Sequence, residues 1–241
     1  MKTGRVMKVV GVATVLFCIS LQGIASPVGV YVNDDFSSPT LDSAVWTTHD
    51  YGGSYSTASG ELKLTANYAV SSVPMVSPDA GQTVIASLTN LWTDQWNLSQ
   101  RWGIQNADAT NSLLLFQDRV FGTQGIRMRI TKDGVMQETM LSTSQIAGMY
   151  AIEWTQSSVI LRNSTNGGAD WTTLFDSTVN TPDAGGTWDI PTVNMGIYAE
   201  AWLNSNELYM DGAKLEVIPE PATLCLLGLG AVFAGVRRNK R

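Results

Sequence analysis

Residues 125–141 read GIRMRITKDGVMQETML, and the fold follows from how this stretch alternates. Ile126, Met128 and Ile130 fall on one side of an extended chain and Arg127 and Arg129 on the other, the period-two pattern of a half-buried strand. Lys132-Asp133-Gly134 then supplies an Asp-Gly turn into VMQETML, so the stretch predicts a β-hairpin.

The same grammar runs outward in both directions. MYAIEWT (149–155) and VILRNST (159–165) predict a second hairpin around Gln156 to Ser158. VNMGIYAEAW (193–202) puts Val193, Met195, Ile197, Ala199 and Ala201 on a face opposite Tyr198, Glu200 and Trp202. ELYMDGAKLEVI (207–218) reads as a last strand. Between Val30 and Ile218 there is no long amphipathic helix, only runs of roughly five to ten residues punctuated by Gly, Asn, Asp, Ser and Pro. The expectation is an all-β sandwich or barrel of about a dozen strands, one domain spanning 26–218, without internal repeat or linker.

The two ends of the chain read differently. Lys2, Arg5 and Lys8 precede a mostly apolar run from Val9 to Leu21, and Gly23-Ile24-Ala25 offers small residues where a signal peptidase reads, so 1–25 is expected to be a signal peptide cut after Ala25. At the other end Pro219-Glu220-Pro221 is followed by an uncharged run from Ala222 to Val236 and a basic tail of Arg237, Arg238, Lys240 and Arg241. As a helix that run is about 22 Å long, short against a hydrocarbon core of about 30 Å. The tail would keep the C-terminus cytoplasmic and the body outside.

This order of triplet, short hydrophobic helix and basic end resembles the PEP-CTERM sorting signal of Gram-negative bacteria. The resemblance covers 219–241. It implies recognition of Pro219, Glu220 and Pro221 by an exosortase-type membrane enzyme, transient membrane insertion through 222–236, and release or transfer to the cell surface or medium. The logic parallels other discarded hydrophobic tails.

Such processing changes the charge. The signal takes three of the chain's 15 basic residues and the tail four, neither takes any of the 21 acidic ones, and the body keeps 8 against 21, a net −13. That argues against nucleic acid and anionic membrane surfaces as partners. The two cysteines, Cys18 and Cys225, lie in the signal and the tail. The body therefore has neither a disulfide framework nor a thiol nucleophile, and a hydrophobic core must hold it.

VYVNDDFSSPTLDSAVW (30–46) and LYMDGAKLEVIPEP (208–221) resemble the first and last strands of concanavalin A-like (laminin-G or glucanase-type) sandwiches, which implies a single antiparallel jelly roll whose terminal strands pair. STNGGADW (164–171) resembles an Asp-box hairpin, with Asn166 at the usual Asp position and Asp170 at the usual Thr; such boxes stabilise turns. Glucanases of the sandwich fold set their carboxylates on one strand as Glu-x-Asp-x-x-Glu, and no such pattern occurs. Glu207, Asp211 and Glu216 have the wrong spacing, with simple alternation turning Glu216 away from the other two.

The remaining chemistry is sparse. His49 is the one histidine and reads as a surface or turn residue in a loop-like, Gly- and Ser-rich stretch, and the body lacks the three or four His or Cys ligands of a zinc site. Calcium asks only for oxygen ligands; Asp34, Asp35 and Asp211 would meet if the terminal strands pair, though Asp-rich loops are common in acidic secreted proteins. Eight Trp and seven Tyr supply aromatic faces for sugars or for the core. Trp92, Trp96 and Trp102 crowd into 89–102, and Tyr198, Glu200 and Trp202 share one strand face.

The expectation is an exported, non-catalytic surface or matrix protein without cofactor, binding polysaccharide through Tyr198, Glu200 and Trp202. The alternatives are a glycan-active hydrolase with displaced carboxylates and a matrix component with no small ligand.

Overall fold

The computed structural model describes residues 26–90, 99–120, 123–142, 148–202 and 207–220. The signal segment, Trp92, Trp96, Pro221, the apolar run 222–236 and the basic tail lie outside the described residues. Among the described residues fifteen strands, numbered β1 to β15 in chain order, form two sheets. The eight-stranded sheet runs β13 (Thr172–Asp176), β12 (Val159–Ser164), β11 (Gly148–Trp154), β6 (Gln82–Asn90), β15 (Glu207–Pro219), β4 (Leu62–Thr65) and β3 (Ser54–Ser56), with β1 (Gly29–Asp34) also paired to β15. The seven-stranded sheet runs β10 (Val135–Ser142), β9 (Thr123–Lys132), β8 (Ser112–Val120), β7 (Ser99–Gln105), β14 (Gly196–Ala201), β5 (Tyr68–Ser72) and β2 (Trp46–Asp50). Every pairing is antiparallel, and the architecture is the expected concanavalin A-like sandwich. No helix among the described residues is long and apolar enough to cross a membrane.

The alternating stretches explain the core. Ile126, Met128 and Ile130 are buried while Arg127 and Arg129 stay partly exposed. The turn joining β9 to β10 places Asp133 and Gly134 at φ 50° and 79°, both in the left-handed region that a two-residue primed hairpin turn requires. Strands β11 and β12 form the second expected hairpin, pairing Trp154 with Val159. The layers meet through Trp102 of β7 and Tyr150 of β11, their rings 5.4 Å apart and tilted. The Gln117 side-chain amide donates to the Tyr150 hydroxyl at 3.1 Å, giving this buried oxygen the partner that burial demands. Desolvation pushes the Tyr150 phenol well above its ordinary pKa.

Two expectations need correction. Val193 does not join the buried face of its neighbours: β14 begins only at Gly196, and Val193 is exposed in the preceding loop. In β15 the register slips between Met210 and Gly212, a bulge that admits one extra residue. Leu208 and Met210 point inward before it and Ala213, Leu215 and Val217 after it. Glu207 and Glu216 therefore share the outer face that simple alternation denied them. They remain far apart, nine residues along the strand or about 30 Å.

Candidate functional site

The outer face of the seven-stranded sheet carries a groove of about 860 Å³. Its floor is set by register. On β14, Tyr198 and Glu200 alternate with the buried Ala199 and Ala201 and so point outward. Tyr198 lies opposite Gly103 of β7 and Ser71 of β5, and Glu200 lies opposite Arg101 and Ala69. Gly103 has φ 151°, and a Cβ there would sit 2.1 Å from the Leu113 carbonyl oxygen. Only glycine fits, because the place of its Cβ is taken by the backbone of β8. Gln105 to Ala109 and Ser72 to Met75 close one end of the groove; Tyr51, Asn67 and Trp202 stand at the other.

The three residues singled out in the sequence come together, around a fourth that was not. The Tyr198 hydroxyl donates to Glu200 Oε2 at 2.9 Å, and Arg101 Nη1 approaches the same oxygen at 3.5 Å. The Arg101 guanidinium lies 4.0 Å from the Trp202 ring centroid and 5.3 Å from that of Phe116. Phe116 is covered in turn by Arg129 at 4.0 Å, and Arg129 pairs with Glu138 at 2.8 Å. Glu200, though on the outer face, is therefore only 6 % exposed. Burial, followed by the negative charge of Glu200, raises the pKa of Tyr198. The exposed aromatics lining the groove are Tyr51 at 63 % and Trp202 at 44 %.

His49 is not a loop residue. It sits in β2, half-buried, with Nε2 2.9 Å from Ser71 Oγ and its ring stacked on Tyr51 at 6.5 Å. Ser71 belongs to β5, an interior strand paired on both sides. Its neighbouring amides are committed to ladders rather than free to stabilise an oxyanion.

Two carboxylates line the groove, Glu200 and Asp108. Asp108 accepts from the Thr110 hydroxyl at 2.6 Å and the Thr110 backbone N–H at 3.1 Å, and these bonds hold its pKa below the ordinary carboxylate value. A glycosidic general acid needs the opposite shift. Glu207 lies in the other sheet, paired with Lys63 at 2.7 Å and bonded by the Tyr209 hydroxyl. Glu216 pairs with Lys214 at 2.7 Å.

Strands β1 and β15 do pair, bringing Asp34 opposite Ala213. The Asp34 carboxylate is engaged, though: Oδ2 accepts from Trp46 Nε1 at 2.7 Å and Oδ1 from the Phe36 N–H at 2.8 Å. Asp35 accepts from the Ser37 N–H at 3.0 Å, and Asp211 is exposed at the bulge. Among the described residues no group of three or more His, Cys, Asp or Glu is placed to hold a metal ion.

In the turn between β12 and β13, Asn166 Oδ1 accepts from the Ser164 hydroxyl and the Asp170 N–H, both at 2.9 Å, and the Gly168 N–H donates to Ser164 Oγ at 2.9 Å. Asn166 thus does the accepting work of the usual aspartate, and the box fastens a turn. Of the sorting triplet, Pro219 is the last residue of β15, opposite Gln82, and the Glu220 N–H donates to the Gly81 carbonyl at 2.8 Å. The strand thus runs one residue past the 26–218 boundary read from the sequence.

Residues 217–241 match the family model of the PEP-CTERM protein-sorting motif. No curated protein matches the chain. Among solved structures, a glycosyl hydrolase family protein from Mycobacterium fortuitum superposes with a TM-score of 0.54 at 11 % identity, covering 78 % of this chain and 100 % of that one. A β-1,3-glucanase from Mycobacterium marinum gives 0.54 at 12 %, covering 80 % and 100 %. An immunostimulatory antigen and pseudo β-1,3-glucanase of Mycobacterium tuberculosis gives 0.52 at 13 %, covering 78 % and 98 %. At these identities the likeness is one of fold.

Proposed function

We propose that the protein is a non-catalytic, polysaccharide-binding protein of the cell surface or extracellular matrix, delivered by an exosortase-type enzyme acting at its Pro-Glu-Pro triplet. The sorting half is supported by the match over 217–241. The binding half rests on one observation: a groove of about 860 Å³ with two exposed aromatic side chains, Tyr51 and Trp202, at one end of a polar floor. Sugar rings present C–H faces that pack on aromatic rings and hydroxyls that need planar polar partners. Arg101, Gln105, Asn67 and His49 supply the latter.

The test is affinity electrophoresis and calorimetry against a panel of soluble polysaccharides, comparing the wild-type protein with Trp202→Ala and Tyr51→Ala. A stacking loss of about 1.4 kcal/mol corresponds to tenfold weaker binding, and the melting temperature should hold. Equal binding by both variants would exclude the groove. Release of reducing ends from any bound polysaccharide would replace the binding reading with the hydrolase one. Intact mass of protein recovered from cells or medium checks the sorting half: loss of everything beyond the triplet is expected, and a retained tail refutes it.

A further inference from the structure

A turn at one corner of the eight-stranded sheet holds both ends of the described chain. The Ser26 N–H donates to Asp79 Oδ2 at 2.8 Å, and the Gln82 side-chain amide donates to the Ser26 carbonyl at 3.1 Å. The Ser77 N–H reaches Ser26 Oγ at 3.4 Å. The turn itself is closed by the Gln82 N–H on the Asp79 carbonyl at 3.0 Å. On its far side Gln82 is the register partner of Pro219, and Gly81 accepts the Glu220 N–H. Proline has no N–H to donate, so the Glu220 amide is the donor that fastens this end of β15.

Ser26 is the residue that cleavage after Ala25 would make the first. Hydrolysis of the Ala25–Ser26 peptide bond by water leaves a carboxylate on Ala25 and an amine on Ser26, and near neutral pH that amine carries a proton. We propose that Asp79 and Gln82 form a binding site for the protein's own processed N-terminus, in which the new Ser26 α-ammonium pairs with the Asp79 carboxylate while Gln82 holds the Ser26 carbonyl. The proposal rests on the export reading.

The amide-to-carboxylate bond, already charge-assisted at its acceptor, becomes charge-assisted at both ends. The surrounding ionisable groups favour this. Glu220 adds a second acidic residue whose backbone is anchored at the corner, and the Tyr31 hydroxyl donates to the Pro27 carbonyl at 2.6 Å, with burial raising its pKa so that it stays neutral. Because β1 follows directly from this anchor and pairs with β15 from Gly29↔Val217 onward, fixing the new N-terminus also fixes the strand end that carries the sorting triplet. Removal of the signal thereby tightens the corner that presents the second processing site.

The test uses the exported protein as recovered from cells. Intact mass first establishes the leading residue; one other than Ser26 overturns the cleavage reading, and the site with it. Selective acetylation of the α-amine, leaving lysines free, then removes the charge but not the N–H. The wild-type melting temperature should fall by about 2–4 °C, the shift typical of a modest ion pair in a domain of this size. Asp79→Asn should fall by a similar amount and respond no further to acetylation. Equal responses of the two proteins, or none in the wild type, would overturn the proposal. If Asp79→Asn fails to accumulate, the α-amine titration of the wild type decides: a pKa above about 8 is expected, and an ordinary value of about 7.7–8.0 refutes it.

Discussion

Replacing Arg101 by methionine tests the electrostatics of the groove most directly. Methionine keeps an unbranched apolar stem against Phe116 and Trp202 but removes the charge that faces Glu200 at 3.5 Å. At an effective dielectric constant of about 20, two unit charges at that distance attract by about 4–5 kcal/mol. Stripping a partner from a buried pair costs about 3–5 kcal/mol, because the remaining charge is left without compensation. The Glu200 side chain is only 8 % exposed whereas that of Arg101 is 22 % exposed, so the lower end applies, about 3 kcal/mol. For a domain of this size that is a melting-temperature drop of about 6–12 °C. Glu200→Gln removes the orphaned charge while preserving an oxygen for the Tyr198 hydroxyl. The double variant should therefore recover most of the loss, with a coupling energy above about 1.5 kcal/mol in the calorimetric cycle. An Arg101→Met drop below about 2 °C, or strictly additive single and double effects, would refute the account of Glu200 as a buried carboxylate neutralised by Arg101.

Gly103→Ala should destabilise the body by more than about 3 kcal/mol, since its Cβ would meet the Leu113 carbonyl oxygen at 2.1 Å from a strained backbone; soluble yield and chemical denaturation report it, and a near-neutral variant would mean that the β7–β8 spacing yields easily. Asn166→Ala removes the acceptor for Ser164 and Asp170 and should cost about 1–2 kcal/mol, read as faster proteolysis of the β12–β13 turn and a lower melting temperature; an unchanged melt would show that the backbone alone holds the turn. Tyr150 and Tyr198 both have raised pKa values. They are neutral when protonated, so their contribution to stability is present below the unfolded value of about 10 and is lost as pH rises above it. Ultraviolet titration should leave the Tyr150 and Tyr198 phenols protonated until the fold melts in alkali; all seven tyrosines ionising together near pH 10 would contradict the burial.

The sequence made local features legible and long-range ones only in part. The hairpins at 123–142 and 148–164 could be read because alternation and turn chemistry lie within one short window. Tyr198, Glu200 and Trp202 could be grouped because a single strand orders them. Arg101 was hidden for two reasons: it reaches Glu200 through a pairing nearly a hundred residues distant, and Gly103 interrupts the polar face of β7 that would have advertised it. The bulge at Asp211 was hidden as well. A one-residue slip inverts the facing of everything beyond it, and Asp-Gly marks a hairpin turn as readily as a bulge.

The position of β15 also governs when the body can fold. It lies between β6 and β4 and carries β1 along its side. Without it the eight-stranded sheet separates into a four-stranded piece, a two-stranded piece and a lone strand. On the export route proposed above, this keystone is the last of the described strands to emerge, so the growing extracellular portion has no complete eight-stranded sheet until translocation is almost over. High sequence separation between pairing strands slows folding further. On that route the chain stays threadable for as long as it is being threaded, and its eight-stranded sheet closes only as the residues bordering the sorting motif emerge.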